Sequence, residues 1–251
     1  MTSEFDGPRT AIVTGGAKRI GAALCTALAE DGWHVLIHCL HSRDEAEALA
    51  RSLGNASVVS ADLAAPDAAA TIMAALDGMP PPRLLVNNAS RFTLDSVDDF
   101  DIAGWADHMD VNLRAPALLS QAFARVAEGG LIVNLLDAKL SHPNPDFFTY
   151  TISKMGLAGL TELTARAFAA RGIRVCGIAP SVTLVSGPQS RDNFDAVHRL
   201  NALQRGVDVG EIVSALRFLI STPTITGHVI TLDAGQRFLG LPRDVQFLEP
   251  Q

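Results

Sequence analysis

Short apolar runs alternate along the chain with segments of helical period, the order expected of a parallel sheet covered by helices on both faces. The runs predict strands at Thr10–Val13, His34–His38, Ser57–Ser60, Arg83–Val86, Leu131–Leu135, Arg174–Ile178 and His228–Leu232. Between them, Arg19–Asp31, Ser42–Leu53 and Thr149–Arg171 read as helices. Each is followed by glycine (Gly32, Gly54, Gly172), where a left-handed cap costs least. Ser42 and Glu45 have capping-box spacing. The stretch Met79–Pro82 ends a helix ahead of the fourth strand. No internal repeat is visible, and Ser181–Asn201 shows no regular element. In open α/β sheets the ligand crevice lies beyond the carboxyl ends of the strands, so that stretch is expected to be a substrate loop.

A length of 251 residues at 48% hydrophobic allows a full buried core in one large α/β domain or two small ones. The net charge of −7 and scattered basic residues argue against a nucleic-acid groove or an anionic membrane surface as the main partner. Cys25, Cys39 and Cys176 have neither zinc spacing nor a disulfide pattern, which suits a reducing compartment. The polar start MTSEFDGPRT and the lack of a long apolar run predict a soluble cytoplasmic protein, with no metal ligands singled out.

The first strand runs into Thr14-Gly15-Gly16-Ala17-Lys18-Arg19-Ile20-Gly21 and then a helix. Glycines at 15 and 21 would let backbone approach a pyrophosphate at a helix N-terminus. The end of the second strand reads His38-Cys39-Leu40-His41-Ser42-Arg43, without the carboxylate that binds a ribose 2′-hydroxyl. Lys18, His41, Ser42 and Arg43 could instead meet a 2′-phosphate, so NADP(H) is the expected cofactor. Asp44 and Glu45 fit better in the first turn of the next helix.

Together with Asp62-Leu63, Asn87-Asn88-Ala89, Asn112 and Tyr150-x-x-x-Lys154, this loop resembles the short-chain dehydrogenase/reductases from Thr10 to Gly235. The resemblance implies a single-domain Rossmann fold over 1–251, a doubly wound, mostly parallel seven-stranded sheet with helices on both faces. It implies a homotetramer or homodimer, adenine contact at Asp62, and a relay water organised by Asn112. Leu63, Ile20, Asn88, Ala89, Ser90, Pro180 and Thr183 would also border the cofactor, and Lys154 would hold the nicotinamide ribose. Three departures resemble the pteridine reductases more narrowly. Arg19 takes the place of the usual middle glycine, Asn87-Asn88-Ala89-Ser90-Arg91-Phe92 follows the fourth strand, and Asp137 replaces the catalytic serine in Asn134-Leu135-Leu136-Asp137-Ala138. His41 stands where those enzymes tend to carry arginine, and Pro180-Ser181 replaces a proline–glycine pair.

Tyr150 and Lys154, spaced i, i+4, share a helix face. Bringing a phenol pKa from about 10 to about 7 takes about 4 kcal/mol. A lysine ammonium about 4 Å away at an effective dielectric near 20 supplies about that much. Asp137, thirteen residues before Tyr150, would oppose this if ionised. Either it is protonated with substrate bound, or Asp137 and Tyr150 titrate as a pair. Such a pair suits protonation of a ring nitrogen after hydride reaches carbon. The resemblance gives Phe92 a stacking role on a flat pterin, Arg19 a contact with pyrophosphate and substrate, and Ser90 a contact with either. His142, Asn144 and Asp146 are further candidates for the pocket wall.

The expected activity is thus NADPH-dependent reduction of a C=N bond in a dihydropterin or folate. A carbonyl reductase of the same family and a non-catalytic NADPH sensor are the alternatives. The tail from Gly240 to Gln251 is, by family analogy alone, a candidate to close a neighbouring subunit's site.

Overall fold

The computed structural model describes residues 5, 7–186 and 189–248. Seven parallel strands form one sheet in the order β3-β2-β1-β4-β5-β6-β7. They are β1 (Thr10–Val13), β2 (His34–Cys39), β3 (Ala56–Ser60), β4 (Pro82–Asn87), β5 (Gly130–Leu135), β6 (Ile173–Pro180) and β7 (Val229–Leu232). The helices are α1 (Arg19–Glu30), α2 (Arg43–Leu53), α3 (Ala68–Ala74), α4 (Ile102–Met109), α5 (Ala115–Val126), α6 (Phe148–Phe168), α7 (Arg191–Val197) and α8 (Val209–Ser221). The expected strands are present within a residue or two, and the sheet is wholly parallel, forming one Rossmann-type domain.

Side-chain alternation along the strands feeds two cores, one on each face. Ala11 and Val13 of β1 point to the side where Leu24, Leu28 and Leu216 pack, and Ile12 points to the side of Leu119 and Phe123. Burial of both faces explains why β1 and β5 are buried along their whole length. A polar thread crosses the second core. Asn87 Nδ2 donates to Asn134 Oδ1 at 2.8 Å, Asn134 Nδ2 to Thr161 Oγ1 at 2.8 Å, and Thr161 Oγ1 to Leu157 O at 2.8 Å. It ties β4 to β5 and β5 to α6.

The chain runs β1-β2-β3 in one direction and then crosses back to place β4 on the other side of β1. The crevice opens where those two directions diverge, beyond the ends of β1 and β4.

Two local expectations change. Ser42 makes no side-chain cap on α2, and the Glu45 carboxylate meets Lys18 at 2.5 Å. A complete capping box occurs at Asp208 and Glu211 of α8. The stretch 181–201, read as irregular, contains α7, whose N-cap Ser190 accepts the Asn193 N–H at 3.1 Å; residues 187–188 lie outside the described residues. Between α4 and α5 the backbone widens into a π-helical turn at Asp110–Arg114, a distortion frequent at functional sites. Among the described residues no helix is long and apolar enough to cross a membrane.

Candidate active site

The loops after β1 and β4 are stitched together at the crevice. Thr14 Oγ1 accepts the N–H groups of Asn88 at 2.9 Å and Ala89 at 3.0 Å. Asn88 Nδ2 returns bonds to Thr14 O at 2.9 Å and Gly15 O at 3.1 Å. Two glycines permit this closeness. A Cβ on Gly21 would stand 2.1 Å from Gly15 O, and Gly15 itself adopts φ +61° against Ala89. His38 of β2 holds the turn from behind, its Nδ1 3.2 Å from Gly15 N and its Nε2 3.0 Å from Ala61 O.

Arg19 opens α1 in the left-handed region, φ +55°, at a cost of about 1–2 kcal/mol for a side-chain-bearing residue. Its Nη1 reaches across the cavity mouth to Val185 O at 2.7 Å. The first turn of α1 has no side-chain cap and no acidic residue. A helix start of this kind, beside a backbone cradle that a Cβ would fill, fits the pyrophosphate of a dinucleotide. At the end of β2, Lys18 pairs with Glu45, and Arg43 Nε with Glu47 at 2.8 Å, all largely exposed and therefore exchangeable.

Asp137 follows β5, where its Oδ1 accepts the Lys139 N–H at 2.8 Å and so starts a short 3-10 turn. Its Oδ2 accepts the Tyr150 hydroxyl at 2.7 Å. Lys154, one turn further along α6, is buried and donates its Nζ to Leu135 O at 2.8 Å, with Nζ 5.7 Å from the Tyr150 ring. Asp95, from the loop after β4, accepts the Thr149 N–H at 3.1 Å and so supplies α6 with a remote cap. His108 wedges between Thr149 and Thr93, with its ring centroid 6.3 Å from that of Tyr150.

Burial joins Asp137 in opposing the lysine's effect on Tyr150. Burial, followed by the charge and hydrogen bond of Asp137, pushes the Tyr150 phenol well above its ordinary value. Burial pulls Lys154 down to about 8, partly opposed by Asp137. The lysine does not make Tyr150 a phenolate, because desolvation and the neighbouring carboxylate win. Tyr150 is therefore held protonated, with its hydroxyl donated to Asp137.

Asn112, on the π-helical turn, is fully buried. Its Oδ1 accepts Arg91 N at 2.7 Å and Ser90 Oγ at 3.2 Å, and its Nδ2 donates to Arg91 O at 3.0 Å and Ser153 Oγ at 3.0 Å. The side chain thus clamps the β4 loop to α6.

A cavity of about 730 Å³ unites most of the expected residues. Gly15, Lys18, Arg19, Ile20, Gly21, Asn88, Ala89 and Ser90 form one side. Phe92, Asp137, Tyr150, Lys154, Pro180 and Thr183 form the other. His41, Ser42, Arg43, Asp62, Leu63 and Asn112 do not line it. Asp62 is exposed, its Oδ1 accepting the Ala64 N–H at 2.9 Å, and Leu63 is buried in the core. Of the three loop candidates, His142 and Asn144 reach the wall, and the Oδ1 of Asn144 is buried without a hydrogen-bond partner. Asp146 does not line the cavity; its carboxylate accepts Arg243 Nε at 2.8 Å.

Residues that the sequence reading did not name one by one add to the wall, among them Lys139, Arg243, Asp244 and Gln246. Lys139 Nζ lies 3.6 Å from Asp244 in a mostly buried pair. Burial lowers the Lys139 pKa and raises that of Asp244. Leu241 and Arg243 to Gln246 of the tail line their own chain's cavity, and residues 249–251 lie outside the described residues.

The short chain dehydrogenase family model matches residues 9–194. D-threitol dehydrogenase of Mycolicibacterium smegmatis is 31% identical over 90% of this chain and 92% of its own length. Pteridine reductase 1 of Leishmania tarentolae is 30% identical over 94% of this chain and 98% of its own. Among solved structures, FolM alternative dihydrofolate reductase 1 from Brucella canis, complexed with NADP, superposes with a TM-score of 0.88 at 40% identity. It covers 92% of this chain and 94% of that one. A crevice between diverging strands, a glycine cradle at a helix start and a buried tyrosine–lysine helix face all accord with that match: the chain belongs to the short-chain dehydrogenase family of NAD(P)-dependent oxidoreductases.

Proposed function

We propose that the chain is an NADPH-dependent pteridine reductase acting on a C=N bond of a dihydropterin or folate. The observation that carries this reading is the 2.7 Å bond from Tyr150 to Asp137 inside a cavity bordered by Phe92 and Arg19. The 40% identity to the Brucella FolM protein and the 30% identity to the Leishmania enzyme support it.

The bound cofactor would supply a hydride, two electrons and one proton's mass, to the ring carbon of the C=N bond. The ring nitrogen then needs a proton, and Tyr150, held protonated by burial and by Asp137, provides it. Asp137 accepts a bond from the phenol beforehand, and after the transfer a proton taken up from solvent by the Asp137–Tyr150 pair restores the phenol. Arg19 and the start of α1 would hold the pyrophosphate, and Lys18 and Arg43 with His41 and Ser42 a 2′-phosphate. Asp62 and Leu63 would flank the adenine, and Lys154 the ribose. Phe92 offers a ring surface for the flat heterocycle, and Asn144 Oδ1 a free acceptor for its donor edge. Exposed apolar residues on α6 and α8, Met155, Leu163 and Phe218, suit a homotetramer buried at those faces.

NADPH oxidation with dihydrobiopterin, dihydromonapterin and dihydrofolate tests the reading. Turnover of at least one is expected, and turnover of none overturns it. Similarity to D-threitol dehydrogenase favours one second reading, a carbonyl reductase in which Asp137 is tolerated. Asp137→Ser separates the two, since it improves ketone reduction under the second reading and removes most pterin turnover under the first. A Tyr150→Phe chain that kept its full cellular activity would point to a sensor.

A further inference from the structure

Three phenylalanines from distant parts of the chain lie in near-parallel order beside the Asp137–Tyr150 pair. Phe92 stacks on Phe147 with centroids 4.2 Å apart and 18° between planes. Phe147 in turn faces Phe247 at 5.9 Å and 22°. Phe92 also meets the Tyr150 ring edge-on at 4.7 Å. The middle ring is buried, and its backbone stands at φ +52°, a conformation that an aromatic residue keeps only when its surroundings over-determine it.

What surrounds it comes from the C-terminal segment. The carboxylate of Asp146, next to Phe147, receives Arg243 Nε at 2.8 Å and the Asp244 N–H at 2.7 Å. The Arg243 guanidinium lies 5.1 Å over the Phe247 ring, and Lys139 Nζ 5.4 Å over Phe147 while donating to Asp146 O. Gln246 O accepts a bond from Asn193 of α7 at 3.4 Å, so the same segment also touches the substrate loop.

We propose that Arg243–Phe247 is a positioning element for the substrate platform, acting on its own chain's site. Phe247 backs Phe147, Phe147 backs Phe92, and the Arg243–Asp146 pair fastens the arrangement. A ring that receives a flat guest is useful only when it is fixed, because a mobile platform loses its ordering entropy again at every binding event. The inference rests on the pteridine reading for the identity of the guest, but not for the support of Phe92.

The experiment uses the full chain with Phe247→Ala, Phe247→Leu and Phe247→Tyr. Backbone amide exchange at residues 90–94 is followed without substrate, and steady-state kinetics with NADPH and dihydrobiopterin. Exchange at 90–94 should quicken in the Ala and Leu variants, and KM for dihydrobiopterin should rise about 5-fold, the order of one lost aromatic contact. The kcat and the Kd for NADPH should stay within about 2-fold, and Phe247→Tyr should restore KM. Unchanged exchange and KM in a folded Phe247→Ala protein would overturn the proposal. So would a loss shared equally by kcat and NADPH affinity, the mark of general destabilisation. If Phe247→Ala does not fold, Phe247→Leu decides by the same readings. If the unaltered protein reduces no pteridine, the function reading fails, while exchange at 90–94 still decides the role of the tail.

Discussion

The hydroxyl of Tyr150 donates to Oδ2 of Asp137 across 2.7 Å, and the Lys139 amide fixes Oδ1 of the same carboxylate at 2.8 Å. The carboxylate is therefore held in place by backbone before any substrate arrives. Its charge and bond, added to burial, keep the phenol protonated.

Tyr150 is the sole tyrosine, so phenolate absorbance reports this group alone. The intact protein should show no phenolate until well above the ordinary tyrosine value of 10.0. Asp137→Asn should bring the midpoint down by about one pH unit or more, since a neutral amide no longer opposes a second negative charge. An identical midpoint in both proteins would refute the coupling.

Lys154 gives a stability test whose sign is fixed. Its pKa is lowered from 10.5 to about 8 in the folded chain, so the unfolded chain binds more protons between those values. Stability should therefore rise with pH above about 8 and fall away as pH drops through it. The Cys25 thiol, pushed up from 9.0 to about 12, acts in the opposite sense above pH 9.0. The comparison is accordingly made against Lys154→Met, in which only the lysine contribution disappears. Urea midpoints between about pH 7.5 and 9 should climb more steeply for the intact chain than for the variant.

Arg19 is strained and yet it bridges to Val185. Arg19→Gly should raise unfolding stability by up to about 1 kcal/mol, as glycine accepts the left-handed conformation freely. It should also weaken NADPH binding about tenfold through the lost charged hydrogen bond. Calorimetry and fluorescence titration check the two effects separately, and a destabilised variant would contradict the strain argument.

Arg43 is held by the exposed Glu47 carboxylate at 2.8 Å, a pairing that a phosphate can displace. Arg43→Ala should raise the Kd for NADPH about tenfold and leave that for NADH within about twofold. Equal effects on both cofactors would remove Arg43 from 2′-phosphate recognition.

Much of this was legible in the chain because strands buried on both faces leave continuous apolar runs, and because Thr14 to Gly21 concentrates its geometry in adjacent residues. The helix α7 was missed since seven residues carrying Asp192, Asn193 and Asp195 give little apolar period, and its cap, Ser190, reads equally well as loop. Glu45 was assigned to Ser42 by spacing, but Lys18, reached only through the fold, offers it a charge. The wall formed by Lys139, Arg243, Asp244 and Gln246 depends on an approach between segments about a hundred residues apart, exemplified by Asp146 and Arg243. No local pattern encodes that distance. Spacing brings out the opposed charges of Lys154 and Asp137 at Tyr150, but it does not report the depth of burial that adds to the carboxylate's effect.

The thread from Asn87 through Asn134 to Thr161 has a mechanical outcome for chemistry that it never touches. Apolar packing tolerates sliding of a helix along a sheet, whereas directional bonds tolerate almost none. Thr161 therefore works as an index pin for α6. Lys154 and Tyr150, about two and three turns before it, inherit their depth in the crevice from a threonine hydroxyl in the dry interior.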